Sequence, residues 1–452
     1  MKKMIKVYVA LAAIATLAFG LFSCSGGGND VNPLALYSPL TPLNSPTLKY
    51  LDLSNAKSLY ISGGSGTSAN KADGISASAS GPDHKKIFKI TDAGYVEEVK
   101  YLNGEKKEIS ILYEPCAIDK INDDYIFIGF GNNLLNISSG YLVRKSDGAA
   151  FDMKNAGMPR DRMSGKNANI FSKDKKKSIY YLSIRNSKSH PSGIITELIK
   201  INLENIDLLS SQVVSASTDY VTGFDVDANG NLIYTCNLIS DNMQYFTRIR
   251  KNNGGIKNIT DRAGAYWIGL DGYIYYYGNY QNEGIPLKKI SIDNEYNISE
   301  TVYGFLPSSI SGYKLELKNR IIMIDSGGSC SICEVYNPSA NPRNISLTGL
   351  TLKSVTAVNS TENFYYIAGT DNSSNTILIK VNPEDDSWTN LLPDNNYEVY
   401  TFTASETDGI TFNALRMSDG KKIIGKVGIN GGAVTVIDEE SNAQISYLER
   451  IN

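Results

Sequence analysis

Cys330 and Cys333, in "GGSCSICEV", have the spacing best suited to covalent or metal chemistry in this chain. In an exported protein such a C-x-x-C pair is a local disulfide, a redox centre or half of a metal site. The redox reading needs a thioredoxin-like βαβ pattern around the pair, and the zinc reading needs two further ligands. Neither shows in the sequence, so the expectation is a hairpin-loop disulfide at Cys330 and Cys333 or two inert thiols. His84 and His190 are the only histidines, which thins every mechanism that uses imidazole as base or ligand. "DVDANGN" (Asp225, Asp227, Asn229, Gly230) opens like a calcium loop, but its twelfth position is Cys236 instead of a bidentate glutamate, and a plain turn is expected. No metal and no cofactor are expected. The remaining candidate is "GLDGYIYYYGN", whose tyrosines either stack a ligand or pack inside something.

With 42% hydrophobic and 20% charged residues among 452, the chain can bury a large core. A formal net charge of −3 leaves no basic surplus for a phosphate backbone, so nucleic-acid partners are set aside.

The N-terminus carries Lys2, Lys3 and Lys6, then an uncharged apolar run that stops at Cys24. "LFSC" (Leu21, Phe22, Ser23, Cys24) resembles the lipobox of bacterial lipoproteins. The resemblance implies a signal peptide at 1–23 and lipidation of Cys24, and Ser25 is permissive for the outer membrane in that family. Residues 24–43, Gly-rich then Pro-rich, have the composition of a tether. The expected location is the bacterial cell envelope, lipid-anchored, at the outer membrane.

What must position any site is a repeat. Short apolar runs such as "SLYISGG", "DYIFIGFGN", "NLIYTCN", "RIIMIDSGG" and "NFYYIAGTD" recur eight times. Aligned on Tyr60, Phe127, Tyr181, Tyr234, Tyr276, Met323, Tyr366 and Phe412, they fall between 42 and 67 residues apart. A second run follows each, with a Lys or Arg between apolar residues, as in "LIKINLEN" and "LIKVNPEDD". The copy at Glu334, Val335 and Tyr336 lacks that basic residue. Four short strands per unit with Gly, Asn and Asp turns resemble the blades of β-propeller proteins. The resemblance implies an all-β chain in which 44–452 forms a single β-propeller of eight four-stranded antiparallel blades, with seven as the alternative. In that setting Tyr275, Tyr276 and Tyr277 are packing residues of a strand covered on both faces. "QISYLERIN" and "TLKYLDLS" are expected to meet in one blade and close the ring.

In such a blade the turns joining strands one to two and three to four share one face and here are tight. The longer, variable loops share the other face, where a ligand or partner is expected. The candidate binding residues are His190, Asn279, Tyr280, Gln281, Asp325, Asp371 and Asn372. The function expected is a non-enzymatic protein- or glycan-binding or scaffolding module held to the membrane by its lipid. The rival is a propeller enzyme acting on a carbohydrate through carboxylates at the channel mouth.

Overall fold

The strands "IIMID" and "ICEVY" are buried at every position, which a strand with one solvated face never is. Alternate side chains explain it, because Ile322 and Ile324 join one apolar cluster while Ile321 and Met323 join another. The computed structural model describes residues 48–63, 85–111, 114–121, 123–133, 136–152, 312–325, 330–337, 341–392, 394–440 and 445–451, and between 178 and 306 the strands alone.

All the described elements are strands, arranged in seven four-stranded sheets, one three-stranded sheet and one two-stranded ladder. Seven of the eight larger sheets are meanders in which each strand pairs with the next in sequence. The second holds Pro115–Lys120, Tyr125–Asn133, Asn136–Arg144 and Ala150–Asp152. The third holds Ser178–Asn186, Ile194–Asn202 and Ser210–Val213. The fourth runs from Asp219–Val226 to Ile256–Thr260, and the fifth from Tyr266–Ile268 to Ile298–Leu306. The sixth holds Gly312–Glu316, Ile321–Asp325, Ile332–Tyr336 and Arg343–Ile345. The seventh holds Leu352–Ser360, Tyr365–Asp371, Thr376–Val381 and Trp388–Asn390. The eighth holds Tyr397–Ser405, Gly409–Arg416, Lys421–Val427 and Thr435–Glu440.

The first sheet departs from the meander. Its order is Ser446–Arg450, Ala56–Gly63, Lys85–Thr91, Val96–Glu98, so the last strand of the chain supplies its first. Leu59 pairs with Glu449 and Ser58 with Arg450. The segment "TLKYLDLS" does not share that sheet, contrary to expectation. Tyr50 and Leu51 pair instead with Leu102 and Tyr101, and Tyr50 bridges Ala149. The two segments still share a core, because Leu48, Leu51 and Leu53 lie in one cluster with Ile451.

Apolar clusters fill the joints between neighbouring sheets. One joins the fifth to the sixth, with Tyr275 against Met323, Cys333 and Val335. Others join the sixth to the seventh, the seventh to the eighth, the eighth back to the first and the first to the second. Polar bonds repeat in step along the first strands. The Tyr313 hydroxyl donates to Thr356 O at 3.2 Å, and the Thr356 hydroxyl donates to Val399 O at 2.8 Å. Tyr275 is fully buried, edge-on to Tyr336 with ring centroids 5.7 Å apart, as packing requires. It is the one tyrosine of its stretch whose side chain is described.

The joint between the eighth and first sheets carries an ion-pair clamp. Asp408 accepts from Lys57 at 2.7 Å and from Arg450 at 2.8 Å. These bonds, Lys57's first, pull its carboxyl down from 3.8 to about 2. A depressed carboxylate contributes stability above its unfolded value and loses it as pH falls through the folded one. Asp408→Asn is therefore expected to cost about 1 kcal/mol at neutral pH, modest because the pair is partly solvated. It also flattens the stability loss between about pH 4 and 2, as denaturant midpoints across that range would show.

Candidate functional site

In the sixth sheet Glu334 occupies the slot where the other repeats carry Lys or Arg, and its side chain is fully buried. An uncompensated carboxylate there would be prohibitive, so cations are drawn in from the turns around it. Arg320, at the end of the first tight turn, donates Nη1 to Glu334 Oε1, and Asn337 Nδ2 reaches the same oxygen at 3.2 Å. Arg343 Nε donates to the other carboxylate oxygen at 2.7 Å. Both arginines continue into the seventh sheet's last turn. Arg343 makes a two-pronged contact with Asp386 at 2.6 and 2.8 Å, and Arg320 pairs with Glu384 at 2.8 Å. Asp386 holds a left-handed backbone at φ 58°, a conformation Asp tolerates, within the turn that meets the guanidinium. Asp386 first and then Glu334 hold Arg343 firmly protonated against the opposing effect of burial.

Above this network the turns of the two sheets enclose a cleft of 240 Å³. Its walls come from the first turns of the sixth sheet (317–320) and the seventh (362–364), with Asn337 and Asn382–Glu384 from their third-to-fourth turns. The turns are locked: Leu317 N donates to Arg320 O at 2.9 Å and Thr361 N to Phe364 O at 2.9 Å. Lys318 N crosses between sheets to Glu362 O at 3.1 Å. Asn363 is tied to Glu406 of the eighth sheet, with Nδ2 2.9 Å from Oε2.

Tyr365 lies beside the network, fully buried, and burial raises its phenol well above the usual range. Its hydroxyl has no hydrogen-bond partner in the structure. Removing an unpaired buried hydroxyl relieves desolvation that no bond offsets. Tyr365→Phe is therefore expected to leave the urea midpoint unchanged or raise it, whereas a loss of 1 kcal/mol or more would reveal a hidden partner.

Of the binding residues expected from the sequence, the three that are described, Asp325, Asp371 and Asn372, fall elsewhere. Asp325 closes the second strand of the sixth sheet at its opposite end, 8% exposed, with its N–H donating to Ser331 O. Asp371 is committed to its own turn, accepting from Asn375 N at 2.8 Å and Asn375 Nδ2 at 2.9 Å. Asn372 is exposed next to it, with its N–H on Thr351 O. Cys24, His190, Asn279, Tyr280 and Gln281 lie outside the described residues. Cys330 and Cys333 are both buried, and no disulfide joins them in the structure. Cys330 belongs to the cluster on one face of the sixth sheet and Cys333 to the cluster on the other. The sheet therefore separates the sulfurs. Burial pushes the Cys333 thiol up to about 12, and it donates to Arg343 O. Among the described residues no group of three or more His, Cys, Asp or Glu is placed to hold a metal ion.

The cleft lies on the tight-turn face, whereas the sequence pointed to the opposite one. Its residues read locally as turn formers. The signal that could have located it is the broken basic slot at Glu334.

No family model and no curated protein matches the chain. Solved structures are similar at low identity. A puromycin hydrolase matches at 9% identity and TM-score 0.45, over 87% of this chain and 60% of its own length. The β-propeller domain of the Trilobed protease from Pyrococcus furiosus matches at 11% and 0.43, over 72% and 97%. TolB from Acinetobacter baumannii matches at 10% and 0.31, over 73% and 80%.

Proposed function

We propose that the chain is a lipid-anchored cell-envelope β-propeller of eight blades that acts as a non-enzymatic protein- or glycan-binding module. The larger sheets serve as its blades, and the sequence from Lys2 to Cys24 supports the anchor, with Ser25 permissive for the outer membrane. The observation that carries the binding role is the cleft between the sixth and seventh sheets, where rigid turns meet and the repeat is broken at Glu334. A pre-formed concavity on a fixed scaffold loses little entropy when it binds.

The test is thermal unfolding of the full chain against a panel of envelope and dietary glycans and envelope proteins. A ligand at about a hundredfold its dissociation constant stabilises by roughly 2.7 kcal/mol. A shift with one class supports the reading, and no shift with any member counts against it. Palmitate labelling that survives Cys24→Ser would refute the anchor.

One observation favours an enzymatic second reading. Glu449 and Asp119 lie on the first strands of the first and second sheets, which pack together. Protein surrounds the Glu449 carboxyl although part of the residue stays accessible, and burial first, then Asp119, pushes it up to about 8. A protonated acid beside a second carboxylate is the pairing that glycoside hydrolysis uses. Glu449→Gln should then abolish release of reducing ends, and no release from any polysaccharide by the wild-type chain would dismiss this reading. The pH prediction stands either way. A carboxyl whose folded value is raised contributes stability below its unfolded value, and that stability is lost as pH rises through the folded one. Stability should decline between about pH 4.5 and 8 in the wild type and less so in Glu449→Gln.

A further inference from the structure

We propose that the cleft between the sixth and seventh sheets binds one neutral sugar residue of a glycan, an inference that rests on the binding-module reading above. Size comes first. At 240 Å³ the cleft is smaller than the roughly 300–1,000 Å³ pockets that take drug-sized apolar ligands, and its walls are polar and apolar in near-equal parts. A protein partner would need about 800 Å² of surface on this side, which a cleft admitting one small group does not supply.

Charge and hydrogen bonding narrow the class. Arg320 and Glu384 neutralise each other at 2.8 Å, leaving one ammonium, Lys318, and one carboxylate, Glu362, on the rim. The lining is balanced, so it does not concentrate phosphate or carboxylate ligands. Asn382 Oδ1 accepts from Glu384 N at 3.1 Å, which orients its amide and leaves Nδ2 to donate. Asn319, exposed at the mouth, adds a donor and an acceptor. This set of donors and acceptors suits hydroxyl groups, each of which accepts from Asn382 Nδ2 or Lys318 Nζ while donating to Glu362. Hydroxyls also reproduce the bonds of the waters they displace, which an apolar group does not. Pro383 and Phe364, whose ring carries the Lys380 ammonium over one face at 3.9 Å from the centroid, line the same cleft and leave apolar surface for the C–H face of a sugar ring.

The experiment is isothermal titration of the purified full chain in detergent with maltohexaose, cellohexaose, mannohexaose and xylohexaose, and with oligogalacturonate as the acidic counterpart. At least one neutral oligomer is expected to bind. Glu362→Gln and Asn382→Asp should each weaken it by about tenfold or more, since each removes a hydrogen-bonding group. The melting temperature should not move, because Asp at 382 keeps the turn-forming oxygen. Wild-type affinity in both variants would overturn the cleft assignment while leaving a glycan-binding module elsewhere on the chain. Preference for oligogalacturonate would overturn the neutral class. Binding of none of the five would overturn the proposal, and a silent thermal panel alongside it would also remove the glycan arm of the broader reading.

Discussion

Deleting residues 444–452 abolishes the cooperative melting transition of the full chain or lowers it steeply. The strand Ser446–Arg450 contributes no loop or ligand; it is the missing first strand of the first sheet. Around it Ile445, Leu448 and Ile451 are each no more than 2% exposed. Ile445 and Leu448 fill the joint toward the eighth sheet, while Ile451 fills the joint toward the second, so the segment seals both faces of one sheet. Three such side chains at about 1.5–3 kcal/mol each give roughly 5–9 kcal/mol of apolar burial. That is comparable to the whole of a domain's usual margin of about 5–15 kcal/mol.

Polar losses follow the same deletion. Asn413 Nδ2 loses Ile445 O, Lys145 loses Ile451 O at 2.6 Å, and Asp408 loses Arg450. The strand Ala56–Gly63 also becomes an open edge, which invites pairing with other chains. Scanning calorimetry of the deleted and intact chains decides the matter, with aggregation followed by light scattering. A melt unchanged within 2 °C would mean that the joints on either side of the first sheet do not depend on this strand. Leu448→Ala gives a graded version, with an expected loss of about 2–5 kcal/mol.

The first sheet shows where a sequence speaks and where it is silent. "QISYLERIN" reads as a strand from its own residues, and it is one. "TLKYLDLS" reads equally well as a strand, yet its partners are Tyr101, Leu102 and Ala149, and a local apolar pattern carries no information about which distant edge is vacant. The continuous runs "IIMID" and "YYIAG" announce burial on both faces, because nothing polar interrupts them. The separation of Cys330 from Cys333 was not legible, because Cys330 lies before the strand Ile332–Tyr336 with a left-handed backbone at φ 39°, where strand alternation does not apply. The cleft was not legible, because Asn319, Asn382 and Glu362 sit in tight turns whose composition is explained without any ligand. Only the exception in the repeat, an acid where its counterparts are basic, marks the place. Departures from local consistency are where function or strain is to be sought.

The exception at Glu334 supports the second large effect. Glu334→Ala removes the one fully buried carboxylate that Arg320 and Arg343 share. Breaking a buried ion pair from one side costs about 3–5 kcal/mol, because the stranded charges keep their desolvation penalty without attraction to offset it. The lower end applies here, since Arg343 stays 36% exposed and retains Asp386. A urea midpoint corresponding to a loss of about 3 kcal/mol is expected, and a loss below 1 kcal/mol would show that the arginines find solvent freely. Restoring the repeat with Glu334→Lys should be worse than alanine, because it places a third cation between two. Replacing all three partners with Met or Leu should recover most of the stability, since an apolar core of similar volume avoids the desolvation penalty altogether. If that apolar variant is stable but no longer binds the neutral oligosaccharides, the network does not exist to hold the fold. It exists to supply Arg320 to the cleft and to keep the turns around it in place.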